Sequence, residues 1–182
     1  MPKLIMWNLV TLDGFFEGAQ KWQLDFHGSA WGPELEKFAI DQLKDADRLV
    51  FGRVTYEGMA AYWKKEKGEI AGFMNAIPKT VFSRTLKSPD WNNTTLASDP
   101  VAEISALKRS AAKDVFVFGS ADLSASLLEH NLYDELRICF VPVLIGQGTP
   151  LFKRANAQHK FTLAGSQTLS NGSVIHRYAL LR

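Results

Sequence analysis

With 182 residues, 46% of them hydrophobic and 22% charged, the chain has enough apolar side chain for one globular domain with a sizeable core. Its net charge of +2 comes from 21 basic residues scattered along the chain, which excludes the concentrated basic stripe of a nucleic-acid binder. A lone cysteine rules out an internal disulfide framework, and no apolar run reaches membrane-spanning length.

Residues 3–11, within MPKLIMWNLVTLDG, form an apolar run with one lysine and no small-residue cleavage signal. They read as the first strand of a cytoplasmic protein and not as a secretory signal. Residues 33–46, PELEKFAIDQLKDA, bring Leu35, Phe38, Ala39 and Leu43 onto one helical face, with Pro33 in the first turn. Further strand-like runs lie at 47–52, 79–83, 94–97, 114–118, 135–145, 159–168 and 173–181. Between them, GEIAGFMNAI carries the stripe Ile70, Phe73, Met74 and Ile77. DPVAEISALKRSAA offers Asp99 as N-cap and Ile104, Leu107 and Ala111 as its buried stripe. The stretch after Ser120 is helix-like through Leu123, Leu127 and Leu128.

Helices alternating with strands argue for a mostly parallel α/β sheet. Asn171-Gly172 between the last two strand patterns is a hairpin signal. The expected fold class is thus a mixed, mostly parallel central sheet flanked by helices, with an antiparallel C-terminal hairpin, in a single domain over residues 1–182. Cys139 lies in the apolar LRICFVPVLI and reads as a small buried hydrophobe. His27, His130, His159 and His176 have no metal-ligand spacing, so no metal is expected.

Three strand ends carry chemistry. RLVFGRVTYEG ends a strand at Gly52 and places Arg53 and Thr55 in the first turn of a helix. KTVFSRTL ends in Ser83-Arg84, and VFVFGSADL passes through Gly119 and Ser120 into Ala121, Asp122 and Leu123. In an open α/β sheet, ligands bind beyond the carboxyl ends of the strands, where free helix N–H groups suit phosphates. Glycine, serine and arginine on one such edge point to a nucleotide diphosphate, although neither a Walker loop nor G-x-G-x-x-G is present.

The order VTLDGFFEG, VFGRVTYEGM, VFSRTL and VFVFGSADLSASLLEHNLYDELRICFVPVLIGQGTPLF resembles the dihydrofolate-reductase-like fold over nearly the whole chain. It is closer to the C-terminal reductase domain of the bifunctional riboflavin biosynthesis deaminase-reductase than to dihydrofolate reductase. The resemblance implies an NADPH-dependent reductase that passes a hydride to a small heterocyclic substrate, in the riboflavin case a phosphoribosylaminouracil, and that pairs as a homodimer. By position, Gly52, Arg53 and Thr55 would hold cofactor phosphates, and Ser83 and Arg84 the adenosine 2′-phosphate. Gly119, Ser120, Ala121, Asp122 and Leu123 would face the pyrophosphate and nicotinamide. The family usually has two glycines where this chain has Gly119-Ser120.

On the substrate side the resemblance implies that Asp13 and Gly14 shape the first loop and that Phe15 or Phe16 covers the nicotinamide. Trp7 faces the substrate ring or belongs to the core. The candidate catalytic carboxylates are Glu36, with Glu34 as its alternative, and Asp13. NAIPKTV lacks the arginine that dihydrofolate reductases use for the folate tail, which argues for a smaller heterocycle. Two other readings stay open. One is a true dihydrofolate reductase, and the other a nucleotide-binding protein of this fold with little catalysis, its pocket filled by Trp7, Phe15, Phe16, Trp22, Phe26 and Trp31.

Overall fold

The run LIMWNLVT forms strand β1 (Leu4–Thr11), and every one of its residues is buried. A strand with no apolar and polar alternation needs cover on both faces, which puts it inside a sheet between two layers of helix. The computed structural model, which describes residues 2–153 and 158–181, has that arrangement.

After β1 come β2 (Phe15–Glu17), α1 (His27–Ala30), α2 (Pro33–Lys44), β3 (Ala46–Gly52) and α3 (Arg53–Trp63). They are followed by α4 (Glu69–Ala76), β4 (Lys79–Phe82), β5 (Thr94–Ala97), α5 (Pro100–Ser110), β6 (Asp114–Phe118) and α6 (Ala121–Glu129). The chain continues through β7 (Glu135–Val141), β8 (Thr149–Pro150), β9 (Phe161–Thr168) and β10 (Val174–Leu180). The main sheet runs β5-β4-β3-β6-β1-β7-β10-β9. Its pairs are parallel from β5 to β7, and β10 is antiparallel to both β7 and β9. This is the mixed, mostly parallel sheet with an antiparallel C-terminal hairpin that the sequence predicts. β2 and β8 form a separate antiparallel pair.

The two-residue period of β1 divides the core. Ile5, Trp7 and Leu9 pack with Leu35, Ala39 and Leu43 of α2, Tyr56 and Ala60 of α3, and Met74 of α4. Leu4, Met6 and Val10 face the other way, onto Ile104 and Leu107 of α5 and Leu123 and Leu127 of α6. At α5 the predicted cap forms, with Asp99 Oδ1 accepting from the N–H groups of Val101 and Ala102 at 3.0 Å each.

β7 stops at Val141, short of the predicted 145, because Pro142 has no N–H for the ladder and Gly146 and Gly148 follow at positive φ. It lies between β1 and β10, so its backbone edges are occupied by its own sheet. Cys139 is fully buried there, and burial pushes its thiol up to about 12. In the C-terminal hairpin, Leu169 N–H donates to Ser173 O at 2.8 Å and Gly172 has φ +86°. The loop therefore holds Ser170, Asn171 and Gly172, one residue more than the two-residue turn that Asn-Gly suggests. Asn171 Nδ2 donates to Ala30 O at 2.7 Å, which ties the turn to α1.

Candidate active site

β3, β4 and β6 are parallel neighbours, so their carboxyl ends share one edge. A groove of about 610 Å³ opens there. Its wall includes Gly52, Arg53 and Thr55 from the first strand end and Ser83 and Arg84 from the second. Ser120, Ala121, Asp122 and Leu123 come from the third. Two helices start at the groove, α3 after Gly52 and α6 after Ser120, and neither has a side chain capping its N-terminus. Uncapped first-turn N–H groups carry partial positive charge and suit an anionic ligand. Lys21 and Lys153 add cations to the wall, and Lys153 pairs with Asp122. Arg53 contacts Glu57 at 3.0 Å, while exposed Arg84 has no side-chain partner among the described residues. Ser83 Oγ accepts from the N–H groups of Thr85 at 3.1 Å and Leu86 at 2.9 Å, which shapes the turn carrying Arg84.

The turn out of β6 is unusual, since Gly119 and Ser120 both have positive φ, +54° and +64°. A Cβ on Gly119 would lie 2.9 Å from Thr55 Oγ1, so glycine is required by space as well as by conformation. Asn8 Oδ1 accepts from Gly119 N–H at 2.9 Å. Ser120 Oγ accepts from Gly52 N–H at 2.8 Å and lies 3.0 Å from Thr55 Oγ1.

A second cavity of about 150 Å³ adjoins the groove, and Phe16, Glu17 and Thr55 line both. Gly119 and Trp7 line the second cavity. Trp7 is only 6% exposed and its ring is 5.2 Å from that of Phe38, so it is core and cavity wall at once. Phe118, Trp22 and Trp31 contribute further aromatic wall.

The predicted carboxylates lie elsewhere. Glu36 is exposed on α2 and lines neither cavity: it follows buried Leu35, about 100° round the helix, whereas the face turned to the cavity carries Ala39, Gln42 and Leu43. The Glu34 carboxylate accepts from Ser170 N–H at 2.7 Å and Ser170 Oγ at 2.6 Å, holding the C-terminal hairpin. Asp13 is also outside both linings. It accepts from Thr11 Oγ1 at 2.6 Å and from Gly146 N–H at 2.8 Å, and these bonds hold its carboxyl below the usual range. Gly14, at φ +85°, serves the same turn, with its carbonyl accepting from Leu151 N–H at 3.0 Å. Of the adjacent phenylalanines, Phe16 reaches the site and Phe15 does not.

Other residues take these places. Glu17 is the carboxylate on the shared wall, accepting from Trp22 N–H at 2.7 Å and Thr149 Oγ1 at 3.1 Å. Asn8, His27 and Gln42 bring polar groups to the second cavity. Burial lowers the His27 imidazole to about 4, so it is neutral at physiological pH. Gln42 had a signal in the sequence, since it stands seven residues after Leu35 on the apolar stripe, where a polar side chain needs a reason. The NAIPKTV segment supplies no ligand group. Lys79 is fully buried, donates to the carbonyls of Ile77 at 2.8 Å and Asn75 at 3.2 Å, and stands 4.5 Å over the Trp91 ring. Among the described residues no cluster of three or more histidine, cysteine, aspartate or glutamate side chains is arranged for a metal ion, and no helix is long and apolar enough to cross a membrane.

Residues 2–175 match the RibD C-terminal domain. The chain belongs to the RibD C-terminal domain family. Among its relatives, YyaP, an uncharacterized protein of Bacillus subtilis, is 28% identical over 177 residues, covering 94% of this chain and 92% of YyaP. A putative riboflavin biosynthesis protein from Shewanella sp. PV-4 superposes with a TM-score of 0.81 at 21% identity, over 99% of each chain. A dihydrofolate reductase from Enterococcus faecalis, solved with NADP(H), superposes at 0.66 and 15% identity, over 99% of this chain and 97% of that one. The fold of this RibD C-terminal domain is thus dihydrofolate-reductase-like, and the family supports oxidoreductase chemistry on a small molecule.

Proposed function

We propose that the protein is an NADPH-dependent reductase of a small heterocycle, of the riboflavin-biosynthesis kind. The observation that carries this reading is the adjacency of two unlike spaces across a wall made by Phe16 and Thr55. One has arginines, lysines and two uncapped helix N-termini, and the other is small and aromatic. The first fits a dinucleotide: Gly52, Arg53, Thr55 and the α6 N-terminus would hold phosphates, Arg84 the 2′-phosphate, and Gly119 the close approach to the nicotinamide side. When bound, such a cofactor supplies a hydride from C4 of its nicotinamide. The chain supplies position, exclusion of water by Trp7, Phe16 and Trp22, and a neutral imidazole at His27.

The second cavity remains open despite its aromatic walls, which favours turnover over a binding protein of the same fold. Lys79, committed to carbonyls inside the core, weighs against folate. The same reading carries a cytoplasmic homodimer, for which Leu12 and Leu144, 60% and 72% exposed on adjoining loops, offer apolar surface. Calorimetric titration of the purified protein with NADPH and with NADH tests the reading. Tight binding with preference for NADPH, followed by loss of nicotinamide absorbance with pyrimidine or pterin acceptors, is the expected result, and no binding of either nucleotide overturns it.

A further inference from the structure

Among the described residues two carboxylates are buried, Glu17 at 9% exposure and Glu135 at 4%. Glu135 sits between Lys3 at 2.8 Å and Arg137 at 2.7 Å, which is how a buried charge is ordinarily met. Glu17 has only uncharged donors, Trp22 N–H on one carboxylate oxygen and Thr149 Oγ1 on the other. It pairs with no cation among the described residues, although Lys21 and Lys153 share the groove wall with it, and Lys153 is paired with Asp122 instead.

The chain holds this unpaired charge firmly. Trp22 donates its N–H from φ +64°, a left-handed conformation that a bulky side chain rarely adopts and that surrounding structure must enforce. Thr149 is the cross-strand neighbour of Glu17 in the β2 and β8 pair. A buried carboxylate fixed from both sides and left without a cation is suited to a positive charge that arrives from outside the chain.

Its position narrows the source of that charge. Glu17 lines both the groove and the second cavity, so it stands where the nicotinamide end of a dinucleotide would meet the acceptor. NADPH and NADP⁺ carry the same phosphates and differ in charge at the nicotinamide ring, which becomes cationic when its hydride, a hydrogen with two electrons, passes to the acceptor. Arginines and lysines of the groove act on the phosphates of both forms alike. A carboxylate near the ring acts on the difference, and in a space poor in water it needs no direct contact to do so.

We infer that Glu17 is the counter-charge for the oxidised nicotinamide ring, so that the protein favours the cationic form and eases departure of the hydride. This rests on the reductase reading for the presence of the cofactor.

Calorimetric titration of the purified, cofactor-free protein with NADP⁺ and with NADPH tests it, because the ratio of the two Kd values senses charge at the ring and cancels the phosphate contacts. Glu17→Gln is close to isosteric and can still accept from Trp22 N–H. It should weaken NADP⁺ about tenfold and leave NADPH within about twofold. Thr149→Lys keeps the carboxylate, sets a cation opposite it, and should shift the ratio in the same direction; it decides alone if Glu17→Gln loses its cooperative melting. Equal losses for the two nucleotides would assign Glu17 to shaping the loop, and an unchanged ratio would put its charge out of reach of the ring. Either result overturns the inference and leaves the reductase reading standing, whereas no binding of either nucleotide by the wild-type protein overturns both.

Discussion

Gly52 N–H donates to Ser120 Oγ at 2.8 Å, joining the ends of β3 and β6 across 68 residues of sequence. Ser120 makes this bond from a left-handed conformation that costs a non-glycine residue roughly 1–2 kcal/mol. Two substitutions separate these effects. Ser120→Ala keeps the strain and loses the bond, so it should lower stability by about 1 kcal/mol. Ser120→Gly loses the bond and relieves the strain, and should fall within about 0.5 kcal/mol of wild type. Urea denaturation of both variants checks the order, and equal losses would mean that Ser120 is not strained.

Arg84 stands exposed at the groove with no side-chain partner among the described residues, so its removal should act through the ligand. Arg84→Ala should weaken NADPH binding by roughly 1.5–3 kcal/mol, tenfold or more, and leave NADH within about twofold. Calorimetry with both nucleotides is the measurement, and equal losses would take the 2′-phosphate away from Arg84.

The parallel part of the sheet was legible because β1, β4, β6 and β7 are largely buried apolar runs, with Pro33, Asp99 and Pro100 marking the starts of the helices between strands. The cavity wall was less so. Glu36 has the right neighbours in sequence and the wrong face of α2, since one residue is enough to turn a side chain from cavity to solvent. Glu17 gains its role from Trp22 and from Thr149, which is 132 residues away, and no local pattern announces such a meeting. Segments as short as β2 and β8 likewise have too few residues for a period to be read.

His27 gives the fold a pH dependence of known sign. Its pKa is depressed from 6.5 to about 4 by burial, so between these values the unfolded chain binds a proton that the folded one does not. Stability from this group is therefore complete above pH 6.5 and is lost as pH falls towards 4, by about 2 kcal/mol after allowance for partial exposure. The carboxylates held low, Asp13, Glu34 and Glu135, lose stability in the same direction, but only at lower pH. Denaturation midpoints at pH 7 and pH 5.5 should differ in wild type and much less in His27→Phe. An unchanged pH response in the variant would assign the loss elsewhere.

Gly58 lies inside α3, where glycine costs about 1 kcal/mol relative to alanine, and its neighbour explains it. A Cβ at this position would lie 2.2 Å from Cε3 of Trp22, whose ring walls the second cavity and whose backbone N–H donates to the Glu17 carboxylate at 2.7 Å. Gly58→Ala should thus move the Trp22 ring while leaving the groove on the far side of Thr55 intact. The expected result is a shifted tryptophan emission, a raised KM for the heterocycle and an unchanged Kd for NADPH, with no gain in Tm because displacement of the ring offsets the helix propensity gained. A gain of about 1 kcal/mol, the value for an unhindered helical glycine, with unaltered emission would mean that Trp22 yields freely and does not define the cavity.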